Sequence, residues 1–490
     1  MRVSGTPYSS VEQLHALEQR IAHEPDELQL HFERARCLDD LGRVEPAMHA
    51  YRACLEGEPK HFGALTNLGT LFLEQGMTEG ARAAFTAALD SDWEDPLAHL
   101  NVALLDAHTG ASDAARAHFE RVLRLFPDDA HARLHAHNGL SRLYEREGDE
   151  ERADEHLRLA FEKPTIWTFP YRGTGEPLRV LVLTSPRGGN VISNQFFDDR
   201  FVERVVVVPE AFGAGSALPP HHVIFNAIGE PDATRRTLER AARLVAASQA
   251  PVINAPSAVL LTDRQTMMER IASIAALVAP RTRRLRRDEI TAERLQAEGF
   301  AFPLLLRAPG FHAGDHFERV EDPAQLPAAL AALPGAELYA IAFHDARSAD
   351  GWVRKYRVAF IDGRPYPIHL AIAQQWKVHY FSGAMAGSAE HRAEERRFLD
   401  DMDGVLGATG MTALAAVRDV MQLDYGGVDF GRDRSGRIVV FEANAAMAIY
   451  PPPDDPSWDY RRPAHAHAIS AVRSMLLDRA VKGGYTPRPQ

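Results

Sequence analysis

The chain has 490 residues, 45% of them hydrophobic and 25% charged, and a formal net charge of −12. That length exceeds one ordinary domain while the apolar fraction lets each part bury a core, so two or three domains are expected. The negative balance excludes nucleic acid as a main partner. Cys37 and Cys54 give neither a disulfide framework nor a repeated metal spacing, and no apolar run reaches the roughly 18 residues of a membrane span. With no apolar signal segment at the start, the expected location is cytoplasmic.

Over residues 1–165 the sequence repeats. Gly42, Gly76 and Gly110 are 34 apart and Gly148 follows 38 further on. Five residues after each stand Ala47, Ala81, Ala115 and Ala153; four more on stand Tyr51, Phe85, Phe119 and Leu157, and Pro59 and Pro127 punctuate two of the units. Small, aromatic and proline positions at this period resemble the tetratricopeptide repeat, in which glycine ends the first helix, alanine lets two helices approach and the aromatic fills the groove between them. The resemblance implies a right-handed solenoid whose concave face holds a peptide or protein segment. Such an array can equally serve as a homodimer interface or a lid.

Pro164, Pro170, Gly173, Gly175 and Pro177 break the periodicity, so residues 166–177 read as a linker. Short apolar runs at 179–183, 205–208, 222–225 and 251–253, with a helical stretch at 232–248, then suggest a small parallel α/β domain over 178–260. Asn226 and Glu230 end a strand there, where open parallel sheets bind ligands, and Asn226 is a candidate substrate residue. Thr262-Asp263-Arg264 opens a helix. A strand at 303–307 ends in Arg307 and runs into Gly310-Phe311-His312-Ala313-Gly314, whose glycines give the backbone freedom to turn its N–H groups outward. Strands follow at 338–343 and 354–360; alternation sets Lys355 and Arg357 on one face, Arg354 and Tyr356 on the other. The polar, aromatic cluster around His369 and Trp376-Lys377-Val378-His379-Tyr380 reads as pocket wall, with His369 and His379 as candidate general bases. No H-x-x-x-H or paired-cysteine spacing is taken to support a zinc site. Residues 386–424 read as helical, and a proline-rich loop at 451–456 precedes a closing helix at 464–481.

Between them lie Gly427-Val428-Asp429-Phe430 and Phe441-Glu442-Ala443-Asn444. If Ser435-Gly436 is a two-residue hairpin loop, Asp429 and Glu442 lie equally far from it and face one another, with Asn444 on the same face. Two carboxylates and an amide oxygen suit a magnesium ion that shares its remaining positions with water and phosphates.

These segments resemble the ATP-grasp superfamily, notably ligases of the ribosomal-protein glutamyl ligase and glutathione synthetase type. The resemblance implies a pre-ATP-grasp domain over 178–260 and an α+β ATP-grasp domain over 261–490, so that the fold class is a multidomain α plus α/β chain. It also implies ATP and Mg²⁺ as cofactors, with metal ligands Asp429, Glu442 and Asn444. Phosphates would be held by Arg264 and Arg307, where the family has lysines, and by Gly310 and Gly314. Adenine and ribose would be held by Tyr339, Ala340 and Asp345. Arg357, with Lys355, would steady the transferred phosphoryl group, and the substrate would meet His369, His379, Tyr380 and Asn226. The implied reaction is carboxylate–amine ligation through an acylphosphate, acting on a small-molecule amine or carboxylate. A small-molecule phosphotransferase and a catalytically silent nucleotide-binding scaffold are the alternatives.

Overall fold

The chain divides into two compact units, Met1–Glu162 and Lys163–Gln490. The computed structural model describes residues 11–41, 43–162, 166–212, 217–311, 316–378, 384–453 and 455–486. The first unit is helical throughout: α1 (Val11–His23), α2 (Leu28–Asp40), α3 (Val44–Gly57), α4 (Phe62–Glu74), α5 (Thr78–Ser91), α6 (Pro96–His108), α7 (Ser112–Leu125), α8 (Ala130–Arg146) and α9 (Glu150–Ala160). From α2 onward the helices form successive hairpins. Their turns are set by Gly76, Gly110 and Gly148, whose φ angles of +72°, +84° and +79° lie in the left-handed region open to glycine; Gly42 and Pro164 lie outside the described residues.

Asp95, Asp129 and Asp149 cap the starts of α6, α8 and α9 by accepting backbone N–H groups of Leu97, Ala132 and Arg152. The repeated alanines are all buried, and so are Tyr51, Phe85, Phe119 and Leu157. They organise two apolar clusters, one around Tyr51 and Phe85, the other around Phe119. The aromatic rings need small partners: a Cβ at Gly139 would stand 2.2 Å from the Phe119 ring, and one at Gly69 would stand 2.6 Å from that of Phe85.

The second unit holds three sheets. The first comprises β1 (Ile166–Phe169), β2 (Leu178–Leu183), β3 (Val202–Val207), β4 (Val223–Asn226) and β5 (Val252–Ile253), in the order β1-β3-β2-β4-β5. It is parallel except for β1, which pairs antiparallel with β3. The expected linker therefore begins with a strand, because Ile166-Trp167-Thr168-Phe169 is β-branched and aromatic and finds a free sheet edge. Both faces are covered. Leu181, Leu183 and Ile224 pack on α10 (Pro231–Val245) beside α11 (Pro256–Val259), while Val180, Val182 and Phe225 pack on α17 (Arg462–Lys482). The closing helix thus completes the first sheet's layer, although the sequence assigns it to the last domain.

The second sheet is antiparallel: β7 (Thr282–Arg286), β8 (Leu304–Arg307), β9 (Phe317–Val320) and β10 (Glu337–Ala342), in the order β7-β10-β8-β9. α13 (Ala292–Ala297) and α14 (Leu326–Ala332) accompany it, and Leu295 and Leu326 share its apolar core. The third sheet runs β12-β11-β13-β14-β6 and comprises β6 (Leu277–Val278), β11 (Val353–Ile361), β12 (Arg364–Ala373), β13 (Tyr425–Arg432) and β14 (Ile438–Asn444). Its core is shared with α12 (Arg264–Ile271), α15 (Ala389–Asp400) and α16 (Met402–Met421).

The first and third sheets are joined by Asn254, held at φ +59°. Its side chain donates to the Tyr425 carbonyl at 2.6 Å and accepts the Tyr425 N–H at 2.9 Å.

Asp429 faces Glu442, but not by way of a two-residue loop. Arg432 pairs with Ile438, leaving a longer turn in which Asp433 accepts the N–H groups of Ser435 and Arg437. A bulge at Phe441 then shifts the register by one, so Phe430 pairs with Val440 while Asp429 pairs with Glu442. Turn and bulge offset one another, and the expected facing pair survives.

Candidate functional site

A cavity of about 370 Å³ lies between the second and third sheets. Thr282, Leu305, Arg307, Phe317 and Ile341 line it from one sheet, and Val353, Lys355, Arg357, His369, Val439, Phe441, Glu442 and Asn444 from the other. Asn190 and Ile192, from the stretch between β2 and β3, close one side.

Its polar wall is built by strand register. His369 pairs with Arg357 across β12 and β11, Arg357 with Asp429 across β11 and β13, and Asp429 with Glu442 across β13 and β14. Four ionisable residues thus run in one row across four strands, with Lys355 and Asn444 two residues along on the same face.

Asp429 is only 1% exposed. Arg357 donates to it bidentately at 2.7 and 2.8 Å, and the Lys355 ammonium sits 2.6 Å away. Burial alone would raise its carboxyl; the charges of Arg357 and Lys355 overcome that and hold it far below the usual carboxylate range. Arg357, for its part, is raised despite burial because Asp429 pairs with it. Imidazole His369, buried beside Arg357, is held well below its ordinary value by burial and by that cation, and so is neutral and a weak base.

Glu442 lies 3.0 Å from the Arg264 guanidinium and accepts from Asn444 Nδ2 at 2.8 Å. Asn444 Oδ1 is buried without a hydrogen-bond partner. Asn444 Oδ1, orphaned on the cavity wall, suits a hard cation as it stands, and Glu442 beside it suits one once Arg264 yields its oxygen. Asp429 suits one only if Lys355 and Arg357 withdraw. The expected set of Asp429, Glu442 and Asn444 thus shares one sheet face, with Asp429 neutralised by Lys355 and Arg357; among the described residues no group of three or more His, Cys, Asp or Glu is arranged to hold a metal ion.

Arg307 is the most exceptional cation in the cavity. It is buried at 7% exposure, stacks over Phe317 at 5.1 Å and donates to the Phe311 carbonyl at 2.5 Å. Burial and the neighbouring Arg264 charge push it down to about 10. Among the described residues no carboxylate pairs with it directly, while the charges of Glu442, Glu230 and Asp232 act on it from nearby; a guanidinium so placed suits an anionic oxygen. Gly310, at φ +74°, borders a small recess that Arg264, Arg307, Tyr339 and Asn444 also line. Gly314, His379 and Tyr380 lie outside the described residues.

Four expectations are revised. Ala340 faces away from the cavity into the core of the second sheet, and β10 is paired on both sides, with β7 and β8, so its backbone groups are engaged in the ladder and offer nothing to a base. Tyr339 does lie on the cavity's side of β10, but its hydroxyl donates to Asp232 at 2.6 Å. Asn226 is 1% exposed and bonds the Asn254 carbonyl and the Ile228 N–H, which makes it a joint between strands rather than a pocket residue. Asp345 lines the cavity, yet it also closes a turn through the backbone and guanidinium of Arg347.

The sequence reading passed over Phe317 and Phe343, which meet Trp376 edge-on at 5.2 and 6.5 Å and form the aromatic end of the cavity. It also passed over Asp232, which carries Tyr339 and Arg284 and whose carboxyl is pushed up to about 6 by burial and the nearby Glu230. The one local signal was Glu230-Pro231-Asp232 at a strand-to-helix junction. Lys377, in the stretch read as pocket wall, lines the cavity and donates to the Phe317 carbonyl at 3.4 Å.

Two tetratricopeptide repeat models match residues 28–61 and 66–130. Among solved structures, MamA from Desulfovibrio magneticus RS-1 is 20% identical, covering 31% of this chain and 83% of its own, with a TM-score of 0.28. A thermophilic TPR protein of Thermus thermophilus is 22% identical over 31% of this chain and 80% of its own, at a TM-score of 0.27. No curated protein matches. The N-terminal unit of this chain is built of tetratricopeptide repeats.

Proposed function

We propose that the second unit is an ATP-grasp ligase that joins a carboxylate to an amine at the expense of ATP. The observation that carries this reading is a cavity between two sheets with an aromatic end, a buried Arg307 that pairs with no carboxylate among the described residues, and a facing row of Arg357, Asp429 and Glu442. The aromatic end suits a purine, and the cations suit its phosphates.

Glu442 and Asn444, and Asp429 once its cations release it, would hold Mg²⁺, which supplies charge neutralisation and orientation of the phosphates when bound. The chain's own cations do the rest. Arg307 and Arg264 bind the phosphates. Lys355 and Arg357 turn from Asp429 towards the charge that develops as a carboxylate oxygen attacks the γ-phosphorus and the bond to the bridging oxygen of ADP breaks. An amine nitrogen then attacks the acyl carbon, the C–O bond to phosphate breaks, and the amine proton is lost. His369, neutral and buried, serves to position Arg357 rather than to take that proton. Tetratricopeptide arrays commonly hold peptides, so the first unit would recruit a peptide or protein substrate. The saturation of Asp429 by two cations favours one second reading, a nucleotide-binding scaffold without turnover.

The test is ATP turnover across a panel of carboxylic acids and amines, with ¹⁸O in the acid. Ligation predicts ADP and phosphate only when both partners are present, and one ¹⁸O in the phosphate released. A phosphorylated acceptor without free phosphate would make the protein a kinase, and no turnover with any pair would leave the scaffold.

A further inference from the structure

Helix α8 carries His131-Ala-Arg-Leu-His135, an H-x-x-x-H spacing that the sequence reading passed over. Residues four apart on a helix share a face. Here the two Nε2 atoms stand 3.1 Å apart, with ring centroids 4.3 Å apart. Imidazole nitrogens bound to one ion at about 2.0–2.1 Å would be separated by about 2.9 Å at a right angle and about 3.4 Å at the tetrahedral angle. The observed separation falls between those limits.

A hydrogen bond between the rings gives the same distance, and the neighbouring histidine pair shows what that looks like when packed. His137 and His156, from α8 and α9, bring their Nδ1 atoms to 2.9 Å, but His137 is 8% exposed and Tyr144 stacks on His156. That pair is a joint between helices. His131, by contrast, is exposed and His135 is half-buried, and the Nε2 edge of each ring is the one turned to the other.

We propose that His131 and His135 form an open chelate for a borderline divalent transition ion such as Ni²⁺, Cu²⁺ or Zn²⁺, the ions that imidazole suits. Both rings bind as neutral imidazoles protonated on Nδ1. With no third His, Cys, Asp or Glu in reach among the described residues, water or a donor from another molecule completes the coordination, and the ion exchanges freely. The proposal is independent of the nucleotide reading.

Titration of the metal-free full chain with NiCl₂ by calorimetry tests it. The expected result is a one-to-one complex that is lost in the His131→Asn/His135→Asn double variant. Each single variant should bind at least about tenfold more weakly, and His108→Asn, an exposed histidine elsewhere on the unit, should bind as the wild type does. Unchanged far-UV circular dichroism establishes that the variants fold. Equal Ni²⁺ binding by the wild type and the double variant, or none by either, would overturn the proposal and leave His131 and His135 as a hydrogen-bonded pair.

Discussion

Asp429 concentrates the electrostatics of the cavity wall. It is a fully buried carboxylate whose two oxygens are taken by Arg357 and Lys355. Removing one partner from such a group is costly because it leaves charge without compensation: Arg357→Ala should destabilise the second unit by about 3–5 kcal/mol, and the Arg357→Ala/Asp429→Ala pair by less than the sum of its singles. Urea unfolding measures both, and additive losses would show that the two side chains do not act as a pair. Asp429's carboxyl is depressed, so the stability it contributes is present above the ordinary carboxylate range near pH 4 and is lost as pH falls below it.

Asp232 carries the opposite sign. Its carboxyl is raised from 3.8 to about 6, so the folded state holds the proton more tightly than the unfolded chain does. Stability therefore rises as pH falls from above 6 towards 4, and ionisation at neutral pH costs on the order of 3 kcal/mol. Asp232→Asn keeps an acceptor for the Tyr339 hydroxyl and should flatten that slope. Unfolding free energies at pH 5 and pH 8 that change equally in wild type and variant would contradict this.

At the scale of elements, the glycines of the first unit separate two roles. Gly76, Gly110 and Gly148 serve turns, where an added Cβ meets no neighbour but the backbone angle excludes it. Gly139 serves packing. In an open helix, alanine there would gain about 0.5–1 kcal/mol, but its Cβ would stand 2.2 Å from the Phe119 ring. Overpacking costs about 1–3 kcal/mol and wins, so Gly139→Ala should lower the stability of the helical unit, which thermal melting followed by circular dichroism would measure.

How much of this was legible in the sequence follows the range of the interactions. The repeat could be read because its signals recur at a fixed period, and the faces of β11 and the Asp429–Glu442 pairing could be read because alternation is local. That pairing came with the wrong turn, since a bulge at Phe441 has no local signature. The misreading of Ala340 has the same origin: whether a strand is an edge or a centre depends on β7 and β8, which join it from either side and lie far away in sequence. The saturation of Asp429 was invisible because Lys355 and Arg357 lie more than 70 residues away, on a strand whose neighbour cannot be deduced from spacing.

At the scale of the whole molecule, the chain joins a repeat array to a unit that holds a cationic cavity. No helix among the described residues is long and apolar enough to cross a membrane, and Cys37 and Cys54 are buried and outside any disulfide. The central claim is that the cavity between the second and third sheets takes a nucleotide on Arg307 and its neighbours. The most direct measurement is the melting temperature of the full chain with and without Mg-ATP, for the wild type, Arg307→Ala and Glu442→Ala, because a ligand that binds only the native state stabilises it by RT ln(1 + [L]/Kd). A nucleotide bound there should raise the wild-type melting temperature by several degrees, a rise lost in Arg307→Ala and reduced in Glu442→Ala. A wild type that does not shift at millimolar Mg-ATP, or an Arg307→Ala variant that shifts equally, would contradict that claim.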